Sequence, residues 1–333
     1  MKLTSRADIS EMMSAYLASA ALNAALELGL FWQLAERPQT AASISQTMGI
    51  PHARCRYWLD LLAQLGLVDQ AAGIYSVSQV ARSSILDIHS QATWSFLARR
   101  MRERYSSGVD LALHIQYPGS VWSVQGLTPP HDYQIVKENP EWADRFTRMI
   151  YEVHQPLSIE LAEKMDMTGV QRMMDLGGGS GVMSFALLRR NPQLTSVVVD
   201  VENVCVTGRK IASTVDVSDR ITYYPADFVC DELPSGFDLA LECDVGIYSV
   251  ELFRKVHAAL NANGRLIIVS RWAQEDGTVL PSLLPATFRS TLDNPDFVSS
   301  TIAKTQAMIT SAGFENKPEW GLSSGDVVIE ARK

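Results

Sequence analysis

The run Met173-Met174-Asp175-Leu176-Gly177-Gly178-Gly179-Ser180-Gly181 carries an apolar stretch into a glycine-rich turn, and an apolar stretch with helical spacing follows from Val182. A turn of this kind lets the backbone reverse sharply and lets a ligand approach without meeting a Cβ. The helix start behind it offers free backbone N–H donors and a partial positive charge, which suit an anionic group. Asp175, placed two residues before Gly177, Gly179 and Gly181, sets a carboxylate beside those donors. Together they can hold a molecule that carries both an anion and a cation.

Two later acids extend the pattern. Asp200 ends the next β-rich run, where a carboxylate can accept both hydroxyls of a ribose. Asp227-Phe228 follows the run after that: the acid can accept from an adenine amino group and the ring can cover the adenine face. Glu242 closes the fourth run and joins the same set. A dinucleotide fingerprint, G-x-G-x-x-G, fails because its sixth position from Gly177 is Val182. S-adenosylmethionine has an ammonium group, a carboxylate, a ribose and an adenine but no pyrophosphate. It is therefore the expected cofactor, bound by Asp175, Gly177, Gly179, Gly181, Asp200, Asp227, Phe228 and Glu242.

These residues need a scaffold that delivers them to one edge. From residue 169 onward, β-rich runs at 170–176, 195–200, 221–224, 237–242, 265–270 and 327–331 alternate with helical stretches. That alternation predicts a largely parallel sheet covered on both faces, a Rossmann-like α/β domain over 166–333. Such sheets bind ligands at the carboxyl ends of their strands.

The first 80 residues read differently. Met12, Met13, Tyr16, Leu17, Ala20 and Ala24 recur at helical spacing, predicting one helix over 9–36 with an apolar face. Helical stretches at 40–48 and 51–65 and a short hairpin around Gly73 complete an all-α, winged-helix pattern. The second of those helices has Arg54 and Arg56 but is mostly apolar, which favours a dimerisation platform over a DNA-reading helix. A non-enzymatic winged-helix regulator is the contrasting reading. Residues 81–165 are expected to form a helical linker or lid, with a helix from Pro140 to about Lys164 that Pro156 interrupts or kinks.

Composition narrows the partners. The 333 residues carry a net charge of −8, which argues against nucleic acid, whose binding requires phosphate neutralisation. No apolar run is long enough to span a bilayer, and the start lacks the pattern of a secretory signal, so no membrane partner and a cytoplasmic location are expected. The four cysteines form no C-x-x-C pair and read as free buried thiols, and no histidine spacing predicts a metal.

The chain resembles the bacterial and plant-type small-molecule O-methyltransferases, the family that contains acetylserotonin and hydroxyneurosporene methyltransferases. The resemblance rests on the winged helix at 25–68, the strand and glycine turn at 170–181, Asp200, Asp227-Phe228, and a late helix running into Ala312-Gly313-Phe314. It implies a class I methyltransferase fold, an intertwined homodimer and a small-molecule pocket between the middle helices and the sheet.

Hydroxyl-methylating members of that family usually carry a His-Asp pair shortly after the fourth strand. Counted from Asp238, those positions fall on Ile247 and Tyr248. One reading is an acceptor that needs little deprotonation: sulfur, activated carbon or an acidic hydroxyl. A second is ordinary O-methylation with a displaced base, for which His114, His131 and His154 are candidates, with Tyr105, Tyr151 and Tyr248 weaker ones. The sequence leans narrowly to the first. Arginines at 99, 100, 102 and 104, and Arg271 after the fifth strand, open a third: S-methylation of an anionic thioether such as 4-methylthio-2-hydroxybutyrate, as in dimethylsulfoniopropionate synthesis. Trp122, Phe146, Met149, Arg271 and Trp272 are the expected substrate contacts.

Overall fold

The computed structural model describes residues 2–124 and 132–333, and the chain divides into two compact units, 1–110 and 111–333. In the first unit, the helix Arg6–Leu28 is opened by a reciprocal cap: the Asp8 N–H donates to Ser5 Oγ at 3.2 Å, and the Ser5 N–H donates to Asp8 Oδ2 at 3.0 Å. The single helix expected over 9–36 is two. Gly29 takes a left-handed conformation, φ 74°, and the chain restarts as Leu30–Glu36. A Cβ there would also lie 2.2 Å from Gln91 Nε2.

The helices Ala41–Met48 and His52–Gln64 and the hairpin β2 (Val68–Ala71) and β3 (Ile74–Val77) follow as the spacing predicts, and a short strand β1 (Gln39–Thr40), not expected from sequence, pairs with β3. The helix His52–Gln64 turns Cys55, Leu59 and Leu62 inward against Leu30, Phe31 and Ile44. By contrast Ile9, Met12, Met13, Tyr16 and Leu17 stay exposed along the first helix. Within this unit the arginine run is engaged with its neighbours: Arg102 grips Glu27 at 2.9 and 3.1 Å, and Arg99 meets Glu103 at 3.0 Å.

The second unit is built on a mixed sheet. Its strands are β4 (Arg172–Leu176), β5 (Thr195–Asp200), β6 (Ile221–Pro225), β7 (Phe237–Cys243), β8 (Leu260–Ser270), β9 (Glu315–Asn316), β10 (Trp320–Gly321) and β11 (Val327–Arg332). The order is β10-β11-β8-β7-β4-β5-β6, with β9 against β11. Strands β4 to β8 pair in parallel, while β11 runs antiparallel to β8. The chain leaves β4 toward β5 and β6, then crosses back to β7, so the strand order reverses between β4 and β7. Crevices form at such a reversal.

Two apolar layers clamp the sheet. Val182, Phe185 and Leu188 of the helix Val182–Arg190 pack with Leu239, Leu241 and Val269 on one face. Phe253 and Val256 of the helix Val250–Ala259 pack with Met174, Ala240 and Ile268 on the other. The helical stretch expected to be interrupted or kinked at Pro156 is interrupted: it is two helices, Pro140–Val153 and Gln155–Lys164, joined at His154. Pro156 has no N–H to continue the ladder, so the break falls before it.

Among the described residues no single helix is long and apolar enough to cross a membrane, although the bent pair Arg6–Leu28 and Leu30–Glu36 reaches that length and apolarity together. Cys55 and Cys205 are buried free thiols as expected, but Cys230 is exposed.

Candidate active site

A cavity of about 290 Å³ opens at the carboxyl edge of the sheet beside the β4/β7 reversal. The glycine turn forms part of its wall through Gly177, Gly178 and Gly179, with Asp175 and Asp200 beneath. Asp175 is buried and accepts from Ser184 Oγ at 2.6 Å, and Ser184 also lies 2.8 Å from Ser196 Oγ. A Cβ at position 178 would sit 2.4 Å from Asp175 Cγ, so the bare Cα of Gly178 is what allows the carboxylate to lodge under the turn. Asp200 accepts the N–H groups of Gly179 at 3.0 Å and Val201 at 2.7 Å. Burial raises both carboxyls to about 6 against these hydrogen bonds.

Phe228 reaches the cavity as a buried ring, 6.3 Å between centroids from Tyr133, which also lines it. Asp227 does not line it. Its carboxylate accepts from the Tyr133 hydroxyl and, at 2.6 Å, from Lys137 Nζ, tying the helix Asp132–Glu138 down beside β6. Burial pushes this carboxyl up, but the Lys137 and Tyr133 hydrogen bonds outweigh it and hold it at about 2. Glu242 is also off the wall. It points into the packed interior, neither oxygen meets a donor, and burial lifts its carboxyl to about 8. It paired with the other acids only by its place at a strand end.

The opposite wall comes from the helix Pro140–Val153 and its continuation: Phe146, Thr147, Ile150 and His154, with Met183 and Ile247 facing them. Phe146, an expected substrate contact, is there, stacked on Trp142 at 4.9 Å. Met149 is not, because at about 100° per residue it falls to the side of the face carrying Phe146, Ile150 and His154, and it is packed inside. Trp122 is held elsewhere, its Nε1 donating to Asp293 at 2.7 Å. Arg271 and Trp272 line a neighbouring cavity that shares Asp244 with the first. Arg271 pairs there with the buried Asp326 at 3.3 Å, and Trp272 donates to the Val327 carbonyl.

The candidate bases separate in the same way. His154 is on the cavity wall, its Nε2 3.6 Å from Asp244 Oδ2. His114 is buried off that wall. His131 lies outside the described residues. Tyr248 stacks on Trp272 at 5.3 Å and near Phe253, Tyr151 meets Phe185 edge-on, and Tyr105 receives Asn23 Nδ2 in the first unit. Asp244 was missed from sequence, although the signal used for Asp200 and Asp227, an acid just past a strand end, marks it equally.

With this geometry in view, comparison with known proteins is decisive. The profile of the O-methyltransferase domain matches residues 118–315, and that of the O-methyltransferase dimerisation domain matches residues 10–85. The chain belongs to the O-methyltransferase family. It is an S-adenosylmethionine-dependent enzyme of small-molecule methylation with the class I methyltransferase fold.

Among its relatives, the N,N-dimethyltransferase OxyT of Streptomyces rimosus is 25% identical, over 97% of this chain and 95% of that protein. The L-tyrosine C(3)-methyltransferase of Streptomyces lavendulae is 25% identical, over 88% and 82%. The solved structure of PigF with SAH superposes with a TM-score of 0.86 at 21% identity, covering 99% of this chain and all of that one, a likeness of fold. The relatives are thus named for nitrogen and for carbon acceptors, and the 3-hydroxy-5-methyl-1-naphthoate 3-O-methyltransferase of Streptomyces sahachiroi, 29% identical over 66% of this chain and 62% of that protein, for oxygen.

Proposed function

We propose that this enzyme methylates a small, mainly apolar, neutral or cationic acceptor in the cavity at the β4/β7 edge, working as a homodimer through its first unit. The carrying observation is that one cavity joins the glycine turn, Asp175, Asp200 and Phe228 to an apolar wall of Phe146, Ile150, Met183 and Ile247. The buried carboxylates, each with few protein donors, fit a ligand that brings an ammonium group and ribose hydroxyls.

On this reading Asp200 accepts from the ribose, the turn amides meet the carboxylate, and Phe228 covers the adenine. Asp175 holds the turn from below and faces the ammonium. When bound, S-adenosylmethionine supplies an electrophilic methyl group. The protein's contribution is to orient the acceptor and exclude water; positioning of this kind can be worth effective molarities of about 10⁵ M or more. The helices within the expected lid segment 81–165 supply the acceptor wall through Phe146, Ile150 and His154.

The observations weigh against an anionic thioether. Arg271 already faces a buried carboxylate, Asp326, and the cavity it lines adds Asp244, so the charge there is not left for a substrate anion. Calorimetry with S-adenosylhomocysteine, followed by transfer of labelled methyl from S-adenosylmethionine to a panel of flat aromatic alcohols, aromatic amines and anionic thioethers, tests this. Saturable cofactor binding with labelling of the neutral or amine members is expected. No binding of S-adenosylhomocysteine, or labelling of the thioethers alone, would refute it.

A further inference from the structure

The residue after β7, Asp244, is one of the few non-glycine residues with positive φ, at 55°. Aspartate tolerates this left-handed conformation better than most residues, yet it still costs energy and is concentrated at functional sites. The conformation is held by the Asp244 N–H, which donates to the Val269 carbonyl at 2.9 Å. It places the carboxylate where two cavities meet. The helix break before Pro156 places His154 opposite. Two separate backbone irregularities thus deliver an imidazole and a carboxylate to one spot, 3.6 Å apart, inside ion-pair range and just beyond a hydrogen bond. Catalytic hydrogen bonds are often long before substrate binds.

We infer that His154 is the general base of this enzyme, oriented by Asp244, and that the acceptor is therefore a hydroxyl or a neutral N–H amine with a proton to lose. This rests on the proposed cavity as the site of methyl transfer. Nε2–H of His154 faces Asp244, which leaves the Nδ1 lone pair for the acceptor. As the acceptor's new bond to the methyl carbon forms, the cofactor's S–CH₃ bond breaks and its electron pair stays on sulfur. The X–H proton passes to Nδ1, giving an imidazolium beside the Asp244 carboxylate. Asp244 acts as the positioning residue.

The charges around His154 agree with this role. Burial lowers its proton affinity, Asp244 and Asp326 raise it, Arg271 lowers it, and the net result lies below the ordinary imidazole value. The ring is therefore neutral and able to accept at neutral pH. Burial likewise lifts the Asp244 carboxyl above its usual range, while His154 and Arg271 pull it down. An imidazolium formed at His154 stabilises that carboxylate in turn. Ile247, on the same wall, offers no lone pair.

The test uses the full-length protein saturated with S-adenosylhomocysteine and two probes of one shape, 1-naphthol and its methyl ether. Naphthol should bind at least fivefold more tightly than the ether by calorimetry. That preference should vanish in His154→Gln, while S-adenosylhomocysteine affinity stays within about threefold. In NMR of ring-labelled histidine, Asp244→Asn should lower the His154 titration midpoint by at least half a pH unit. Equal affinities for the two probes, binding of neither, or a His154 midpoint indifferent to Asp244→Asn would each overturn the inference. Failure of the unaltered protein to bind S-adenosylhomocysteine would instead remove the cavity reading beneath it.

Discussion

Asp200 Oδ2 accepts the backbone N–H of Gly179 at 3.0 Å, so the end of β5 and the middle of the glycine turn are fastened by one carboxylate. Its other oxygen takes the Val201 N–H at 2.7 Å, and burial raises its pKa to about 6. Hydroxyl donors from a bound ribose favour the ionised form. We therefore expect Asp200→Ala to weaken S-adenosylhomocysteine binding by about 1–3 kcal/mol in calorimetry. In the unaltered protein, affinity should hold above pH 7 and decline below about pH 6 as the carboxyl takes up a proton. Affinity that is flat from pH 5 to 8 and unchanged in Asp200→Ala would remove Asp200 from the site.

The turn itself is tested at Gly178. A methyl group there would overlap the Asp175 carboxylate, with 2.4 Å to Cγ and 2.7 Å to Oδ1. Asp175 is fixed by Ser184 and has nowhere to retreat without breaking that bond. Gly178→Ala should cost cofactor affinity at least tenfold and lower the melting temperature. A variant with wild-type affinity would show that the turn is not a close-fitting cradle.

Why the sequence revealed one half of the site better than the other follows from these contacts. Asp175 and the glycines sit on one local unit, strand, turn and helix, and Asp200 and Phe228 follow at the ends of the next two parallel strands, so the pattern repeats in sequence order. Period and spacing therefore place them. Asp227 and Glu242 satisfy the same spacing but turn elsewhere. Lys137, ninety positions upstream, captures Asp227, and the alternation of β7 sends Glu242 into the core layer. The acceptor wall is harder still, because it joins a helix around position 150 to a loop around position 245. Only the break at His154 and the left-handed Asp244 bring them together. Neither is visible as a periodicity.

The Asp227 bonds predict a pH effect on stability. Its carboxyl is depressed to about 2, against an ordinary value of 3.8. A depressed acid contributes stability that is complete above its unfolded value and is lost as pH falls through its folded one. The melting-temperature gap between the unaltered protein and Asp227→Asn should thus be constant from pH 8 to about 5. It should close between about pH 4 and pH 2. A gap that opens on acidification would contradict the Lys137 and Tyr133 contacts as its source.

The first helix predicts assembly. Met13 and Tyr16 are 78% and 67% exposed, and Ile9, Met12 and Leu17 extend the same apolar surface within a domain of the dimerisation family. Exposed apolar area of this kind marks a protein contact. Sedimentation at micromolar concentration should give twice the 36.8 kDa chain mass. The pair Met13→Glu and Tyr16→Glu should shift the protein toward monomer without unfolding the second unit. A monomeric unaltered protein would refute the homodimer.

Ile247 offers the last test, because counting from Asp238 sets it where the resemblance to hydroxyl-methylating enzymes implies a base. It lies on the cavity wall with Phe146 and Ile150, and partly buried apolar neighbours on its own side include Val245 and Tyr248. An imidazole placed there would put polar nitrogens against apolar atoms, and an unpaired polar group of that kind costs roughly 1–3 kcal/mol. With His154 already supplying the lone pair, a second base has no proton to take. Ile247→His should therefore lower the rate of methyl transfer or leave it unchanged, whereas His154→Gln should lower it by roughly 10²–10⁴-fold. The double variant decides between the two positions. If Ile247→His restored activity to His154→Gln only in part, His154 would remain the native base and the cavity would merely tolerate a substitute. If Ile247→His alone raised the rate several-fold and His154→Gln had no effect, the base would belong at position 247 and the assignment to His154 would fall.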